Sequence, residues 1–406
     1  MHRLYQLAWV LALIGCTGRA APAASAAQVS PGIDVLLADS LHLVSGRRVG
    51  LLTNQTGVDR RGTSDVERLL SAGVSLTALF SPEHGFRGAL DVDNIGHTVD
   101  SATGLPIYSL YGNVRAPTPA MLSGIDVLLI DLQDIGARTY TYISTVLLAI
   151  EAAARSNVSA IVLDRPNPIG GELVQGPILD TAYASFVGML PLPLRHGMTL
   201  AELARFGVAH RKVTPARLTV VPVAGWARAT WFDATGLPWV RPSPSMPDLE
   251  SATHYPGIVL FEATNLSVGR GTLIAFQVVG APWLDARAVT RAVGVVPGVA
   301  LNDTTVTPVA PPDGKYAGVP LRVVRLRVVD RAVYDPVQLA VRLLSAVRSL
   351  HGDSLRINAR GFDQRAGNAV LREALEAGRP ADEIWQSWEP ELAAFRRARE
   401  RFLLYR

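Results

Sequence analysis

The feature that most narrows the fold of this chain is a set of short apolar runs separated by stretches with helical spacing. Ala160 to Leu163 is apolar throughout, and Ile125 to Ile130 is apolar at every position but Asp126. A strand wetted on one face alternates apolar and polar residues. A run without alternation is buried on both faces, as strands are in a parallel sheet. Arg48 to Thr53 and Val74 to Phe80 supply two more strands. Between them, Ser64 to Ala72 has Val66, Leu69 and Leu70 at helical spacing behind a Thr63 or Ser64 cap. Thr141 to Arg155 reads as a helix with alanine and leucine on its buried side. This repetition predicts an α/β fold with a doubly wound, mostly parallel sheet. The pattern changes near Trp283. Val306 to Val309 and Leu321 to Val329 are β-rich, Pro308 to Gly318 is a loop, Val337 to Leu350 is an amphipathic helix, and Ala381 to Leu404 holds at least one more. The expected division is a leader and tether over 1–30, a larger domain over 31–282, and a smaller C-terminal α/β domain over 283–406.

The N-terminus reads as a targeting segment. Leu4 to Ile14 is apolar, of signal-peptide length and too short to span a bilayer. It ends in Leu13-Ile-Gly-Cys16, and Cys16 is the only cysteine, so no internal disulfide can form. A lone cysteine there is expected to carry a lipid, making the chain a periplasmic lipoprotein of a bacterial envelope, anchored to the membrane through an alanine-rich tether. The plainer alternative is a secretory signal cut after Ala24-Ser-Ala26. Lysine plus arginine number 39 against 35 aspartate plus glutamate. No basic stripe concentrates that small excess, so a nucleic-acid partner is not expected.

In a doubly wound sheet, ligands lie beyond the carboxyl ends of the strands. Polar clusters fall there one after another: Asn54-Gln-Thr-Gly57, Ser81-Pro-Glu-His84, Asp131-Leu-Gln-Asp134 and Asp164-Arg-Pro-Asn167. A fifth, Glu262 to Thr272 with Asn265 and Arg270, follows the apolar run Gly257 to Phe261, which reads as another buried strand. The alternative is that such residues cap the following helices. No G-x-G-x-x-G follows the first strand, and no Walker sequence or G-x-S-x-G elbow is present, so no nucleotide cofactor is expected. The histidines have no metal-ligand spacing, and no metal is expected. Carboxylate chemistry remains. Glu83 and Glu262, each placed at a strand end, suit the acid and the partner carboxylate of glycoside hydrolysis. Tyr140 and Tyr142 could stack on a sugar or pack in the core.

Those strings, together with Leu194-Arg-His-Gly-Met-Thr199, resemble the exo-β-N-acetylmuramidase family, formerly a domain of unknown function, from about Gly32 to the C-terminus. The resemblance implies a Rossmann-like catalytic domain and release of N-acetylmuramic acid from the non-reducing end of peptidoglycan fragments. It carries the cleft glutamates onto Glu83 and Glu262. Asn54, His84, Asp134, Tyr140, Asp164, Asn167 and Asn265 are expected to bind substrate, and Arg138 or Arg270 to hold its lactyl carboxylate. One departure is Ser245, in Pro242-Ser-Pro-Ser-Met-Pro247, where asparagine would be expected. Two other classes fit the same residues: a non-catalytic muropeptide-binding lipoprotein, and an esterase acting on cell-wall glycans.

Overall fold

The computed structural model describes residues 28–214 and 217–406. Cys16 and the leader lie outside the described residues. Chain order begins with helix α1 (Gly32–Asp39), strand β1 (Arg48–Thr53), α2 (Asp65–Ser71), β2 (Ser75–Ser81), β3 (Thr98–Val99), β4 (Pro106–Ser109) and β5 (Val127–Asp131). It continues through α3 (Tyr142–Arg155), β6 (Ser159–Leu163), β7 (Gln175–Ile178), β8 (Pro193–Arg195), α4 (Leu200–His210) and β9 (Leu218–Val221). Seven of these strands form one sheet in the order β3-β4-β2-β1-β5-β6-β9. Every pairing is parallel except β3 with β4. From β1 the sheet grows one way through β2 and β4, and the other way through β5, β6 and β9. The strand order therefore reverses between β1 and β5, the crevice where such sheets bind ligands.

Why β5 lacks alternation is visible in its packing. Val127 and Leu129 enter one core with Ile33 and Leu36 of α1 and Val66 and Leu69 of α2. Leu128 and Ile130 enter the other with Ile143, Val146 and Leu147 of α3 and Leu203 of α4. Successive side chains point to opposite faces, and both faces are covered, so every position must be apolar. The caps follow the sequence: Ser64 accepts from the Glu67 amide at the start of α2, and Thr199 and Glu202 form a capping box on α4.

The second part comprises α5 (Leu249–Ile258), β10 (Val278–Gly280), α6 (Ala286–Val293), β11 (Val299–Val306), β12 (Leu321–Val328), α7 (Pro336–His351), α8 (Ala359–Ala366), α9 (Val370–Glu376), α10 (Ala381–Gln386) and α11 (Glu389–Arg399). Its sheet is antiparallel, in the order β10-β12-β11. Two elements differ from the sequence expectation, and Glu262 sits on a 3₁₀ turn and not at a strand end. Gly257 to Phe261 is not a strand; it is the end of α5 continuing into a 3₁₀ turn, Val259–Ala263. Ile258, Val259, Leu260 and Phe261 are all buried, and a short run buried all round carries no period to separate helix from strand. Gly257 itself serves helix packing. A Cβ there would lie 1.9 Å from the Pro336 carbonyl oxygen, so its absence lets α5 meet the start of α7. The strand expected at Val306 to Val309 begins earlier, at Val299, and ends at Val306.

The C-terminus returns to the large sheet. The Tyr405 hydroxyl donates to Asp164 Oδ2 at 2.6 Å and accepts the Val223 amide at 2.8 Å. Tyr405→Phe should therefore strand the buried Val223 amide and leave Asp164 Oδ2 with Thr199 Oγ1 alone, costing about 1–3 kcal/mol. A lower urea midpoint at unchanged m-value is the expected result. An unchanged midpoint would show that this strap does not anchor the C-terminus.

Candidate active site

Beyond the carboxyl ends of β2 and β5, a cavity of about 290 Å³ is lined by Glu83, His84, Tyr111, Arg115, Thr139, Tyr140 and Thr141, and across from them by Tyr255, Glu262, Arg270, Phe276 and Arg365. Glu83 follows β2 directly. Its Oε2 accepts a hydrogen bond from the Thr141 hydroxyl at the start of α3. His84 next to it has a φ of 71°, and its Nδ1 bonds the Leu90 carbonyl at 2.9 Å, so the loop turns sharply after Glu83. Tyr111 faces Glu83 as well. Burial, then the charge and hydrogen bond of Glu83, raise the Tyr111 pKa and keep its phenol protonated.

Glu262 sits in a different electrostatic setting. Arg270 Nε and Nη2 reach its Oε1 at 2.7 and 2.6 Å, and Arg365 Nε lies 3.6 Å from its Oε2. Lys315 Nζ donates to the Glu262 carbonyl at 3.0 Å. Burial pushes the carboxyl pKa up, but Arg270, Arg365 and Lys315 outweigh it and hold Glu262 below its ordinary value. One wall thus carries a carboxylate bonded by the Thr141 hydroxyl, and the other a carboxylate fixed as an anion.

The structure brings Glu83, His84, Tyr140, Glu262 and Arg270 to one cavity and leaves the other expected residues behind it. Asn54, Asp134 and Asn167 each accept the amide two residues on, from Thr56, Gly136 and Ile169, and so shape the loops after β1, β5 and β6. Asn54 also donates to the Tyr142 hydroxyl at 2.8 Å, which places Tyr142 in the core. Asp164 accepts from Thr199 Oγ1 and the Ala201 amide, capping α4; burial raises its pKa to about 7 against those bonds. Burial likewise raises Asp134 to about 7. Asn265 ties to Ser354 and Arg356. Arg138 is not a free clamp: it is buried, and it donates to the Pro177, Leu192 and Arg365 carbonyls. Burial lowers its pKa to about 9. Its terminal nitrogens are turned onto main-chain carbonyls, its Nε is buried without a partner, and it is not one of the residues that line the cavity. Ser245 accepts from Arg270 Nη1 at 3.3 Å, so the position that departs from the expected asparagine still touches the Glu262 cluster.

Sequence reading missed Tyr111, Arg115, Tyr255 and Arg365. Arg365 arrives on α8, about a hundred residues after Glu262, and no local pattern marks it. Thr141 marked only the start of a helix in the sequence; its hydroxyl gained a role once that start met the loop after β2.

Two family models cover nearly all of the described chain. Exo-beta-N-acetylmuramidase NamZ, N-terminal, matches residues 49–250, and its C-terminal counterpart matches 253–405. The chain belongs to this family. The two models meet between 250 and 253, upstream of the change in character at Trp283. Peptidoglycan beta-N-acetylmuramidase NamZ of Bacillus subtilis (strain 168) is 41% identical over 383 residues, 93% of this chain and 92% of that protein. Crystal structures of two DUF1343 family proteins from Bacteroides fragilis NCTC 9343 share the fold. One has a TM-score of 0.86 at 35% identity, the other 0.74 at 32%, each covering 93% of this chain and 99% of its own. The chain is accordingly a glycoside hydrolase, which sets aside the non-catalytic and esterase alternatives.

The Glu262 setting gives a direct titration test. In Arg270→Gln, burial would lose its strongest opponent, so the Glu262 carboxyl should titrate at higher pH than in the parent. Carbon-13 NMR of labelled glutamate reads this. A Glu262 transition that does not move would mean Arg270 is not what holds it ionised.

Proposed function

We propose that this protein is an exo-acting peptidoglycan muramidase that releases N-acetylmuramic acid from non-reducing ends, with Glu83 as general acid and Glu262 as its ionised partner. The observation that carries this reading is the unequal environment of two glutamates on one cavity. A glycosidase needs one carboxyl to protonate the leaving oxygen and a second, negative, to meet the oxocarbenium-like transition state. Glu262, clamped by Arg270 and Arg365, suits the second task and not the first. Glu83 accepts from the Thr141 hydroxyl, faces Tyr111 and has no cation within ion-pair distance among the described residues, so the proton-donor role falls to it. The cavity is small for a ligand pocket, which favours a terminal sugar over the interior of a chain. Tyr140 and Tyr255, edge to face at 5.9 Å, supply an aromatic wall.

Glu83→Gln and Glu262→Gln keep size but remove the transferable proton or the charge. Each should lower turnover of a muropeptide by about 100-fold or more with the fold intact. An activated phenolic glycoside needs little protonation, so it should partly rescue the Glu83 variant and not the Glu262 variant. Near-normal hydrolysis by either folded variant would overturn the pair.

The reading extends to location: the enzyme is held at the bacterial membrane as a periplasmic lipoprotein through Cys16. Leu13-Ile-Gly-Cys16 behind an apolar segment supports it. Cys16→Ser should move the protein from the membrane fraction to the soluble periplasmic fraction. A native mature N-terminus at Ala27 would overturn the anchor.

A further inference from the structure

The charges around the cavity do not all cancel within the protein. Arg270 is committed to Glu262 through Nε and Nη2, while its Nη1 faces Asp91 at 3.4 Å and Ser245 at 3.3 Å. Arg365 faces Glu262 through Nε and donates to the Gly361 carbonyl of its own helix through Nη1. Arg138 is sealed behind the wall. Arg115 is different. Among the described residues it has no acidic partner within ion-pair distance and its guanidinium makes no hydrogen bond, yet it lines the cavity on the side of Glu83.

Arg115 is nonetheless placed. Its guanidinium carbon lies 4.6 Å from the centroid of the Phe186 ring. Phe186 is in turn tilted against Tyr111 at 6.1 Å, and its carbonyl accepts the Ser144 hydroxyl of α3 at 2.8 Å. A guanidinium lying on a ring keeps its plane fixed and its edge donors free, which is the geometry that takes a carboxylate by two parallel hydrogen bonds. A lysine on the same stem would offer a point charge without that fork.

From this we infer that Arg115 binds the carboxylate of the sugar seated beside Glu83, and so makes the site prefer an acidic aminosugar to its neutral analogue. The inference rests on the muramidase reading and moves the lactyl clamp from Arg138, which does not line the cavity, and Arg270, which is turned onto Glu262, to a residue that sequence reading passed over. Arg270 and Arg365 already face Glu262, whereas Arg115 has no acidic partner among the described residues and can meet the charge of an incoming anionic sugar.

The test uses the full chain and three phenolic glycosides: of N-acetylmuramic acid, of its lactyl methylamide, and of N-acetylglucosamine. Arg115→Gln should raise KM for the muramic acid glycoside about tenfold or more, the scale of one lost charge-assisted hydrogen bond, with kcat little changed. The muramic-to-glucosamine ratio of kcat/KM should fall by the same factor, and the muramic-to-methylamide ratio with it. Arg115→Lys should recover part of the preference. A variant that keeps both ratios, or loses activity equally on all three glycosides, would overturn the role of Arg115 while leaving the muramidase reading intact. A parent protein that does not hydrolyse the muramic acid glycoside would overturn the muramidase reading, and this inference with it.

Discussion

Double-sided burial of the central strands is the constraint on which the rest depends. Leu128 and Leu129 of β5 point into different cores, and both cores are closed by helices. A strand in that position leaves no face for polar groups, so function is displaced to the strand ends. The parallel connections then bring the ends of β1, β2, β5 and β6 to one edge. The reversal of strand order between β1 and β5 opens the crevice there. Glu83 leaves β2 and Thr141 starts α3 at that edge, which is why they meet although far apart in sequence.

The second constraint is the cost of a buried anion. Removing a carboxylate from water is expensive unless cations and hydrogen bonds replace the solvent. Glu262 has this compensation from three separate segments: Arg270 on the following loop, Lys315 on the loop before β12, and Arg365 on α8. The cavity is therefore a joint product of both parts of the chain. The same arrangement separates the two glutamates chemically. Glu262 stays ionised because its neighbours are cations; Glu83 accepts from the Thr141 hydroxyl and has no ion pair among the described residues. Unequal settings of this kind are what the proposed acid and partner roles require.

Several acidic and amide residues that look functional in the sequence do local structural work instead. Asn54, Asp134 and Asn167 accept amides two residues on, and Asp164 caps α4 and anchors Tyr405. These loops follow buried strands and must turn within a few residues, so side-chain acceptors stand in for missing backbone partners. The polar clusters thus mark the right edge of the sheet while most of their members lie beneath the cavity floor.

The sequence by itself determined the strand-and-helix alternation, the doubly wound class, the family strings and the position of Glu83 after β2. All of these rest on local periodicity or contiguous motifs. It did not determine that Gly257 to Phe261 is helical, because a short run buried on all sides has no period to read. Nor did it separate Arg270, Arg365 and Arg115 from Arg138, since an arginine's function depends on which donors its surroundings have already used. Tertiary packing decided that: Arg138 is closed in by carbonyls, Arg270 and Arg365 are turned onto Glu262, and Arg115 is laid on Phe186 with its donors free.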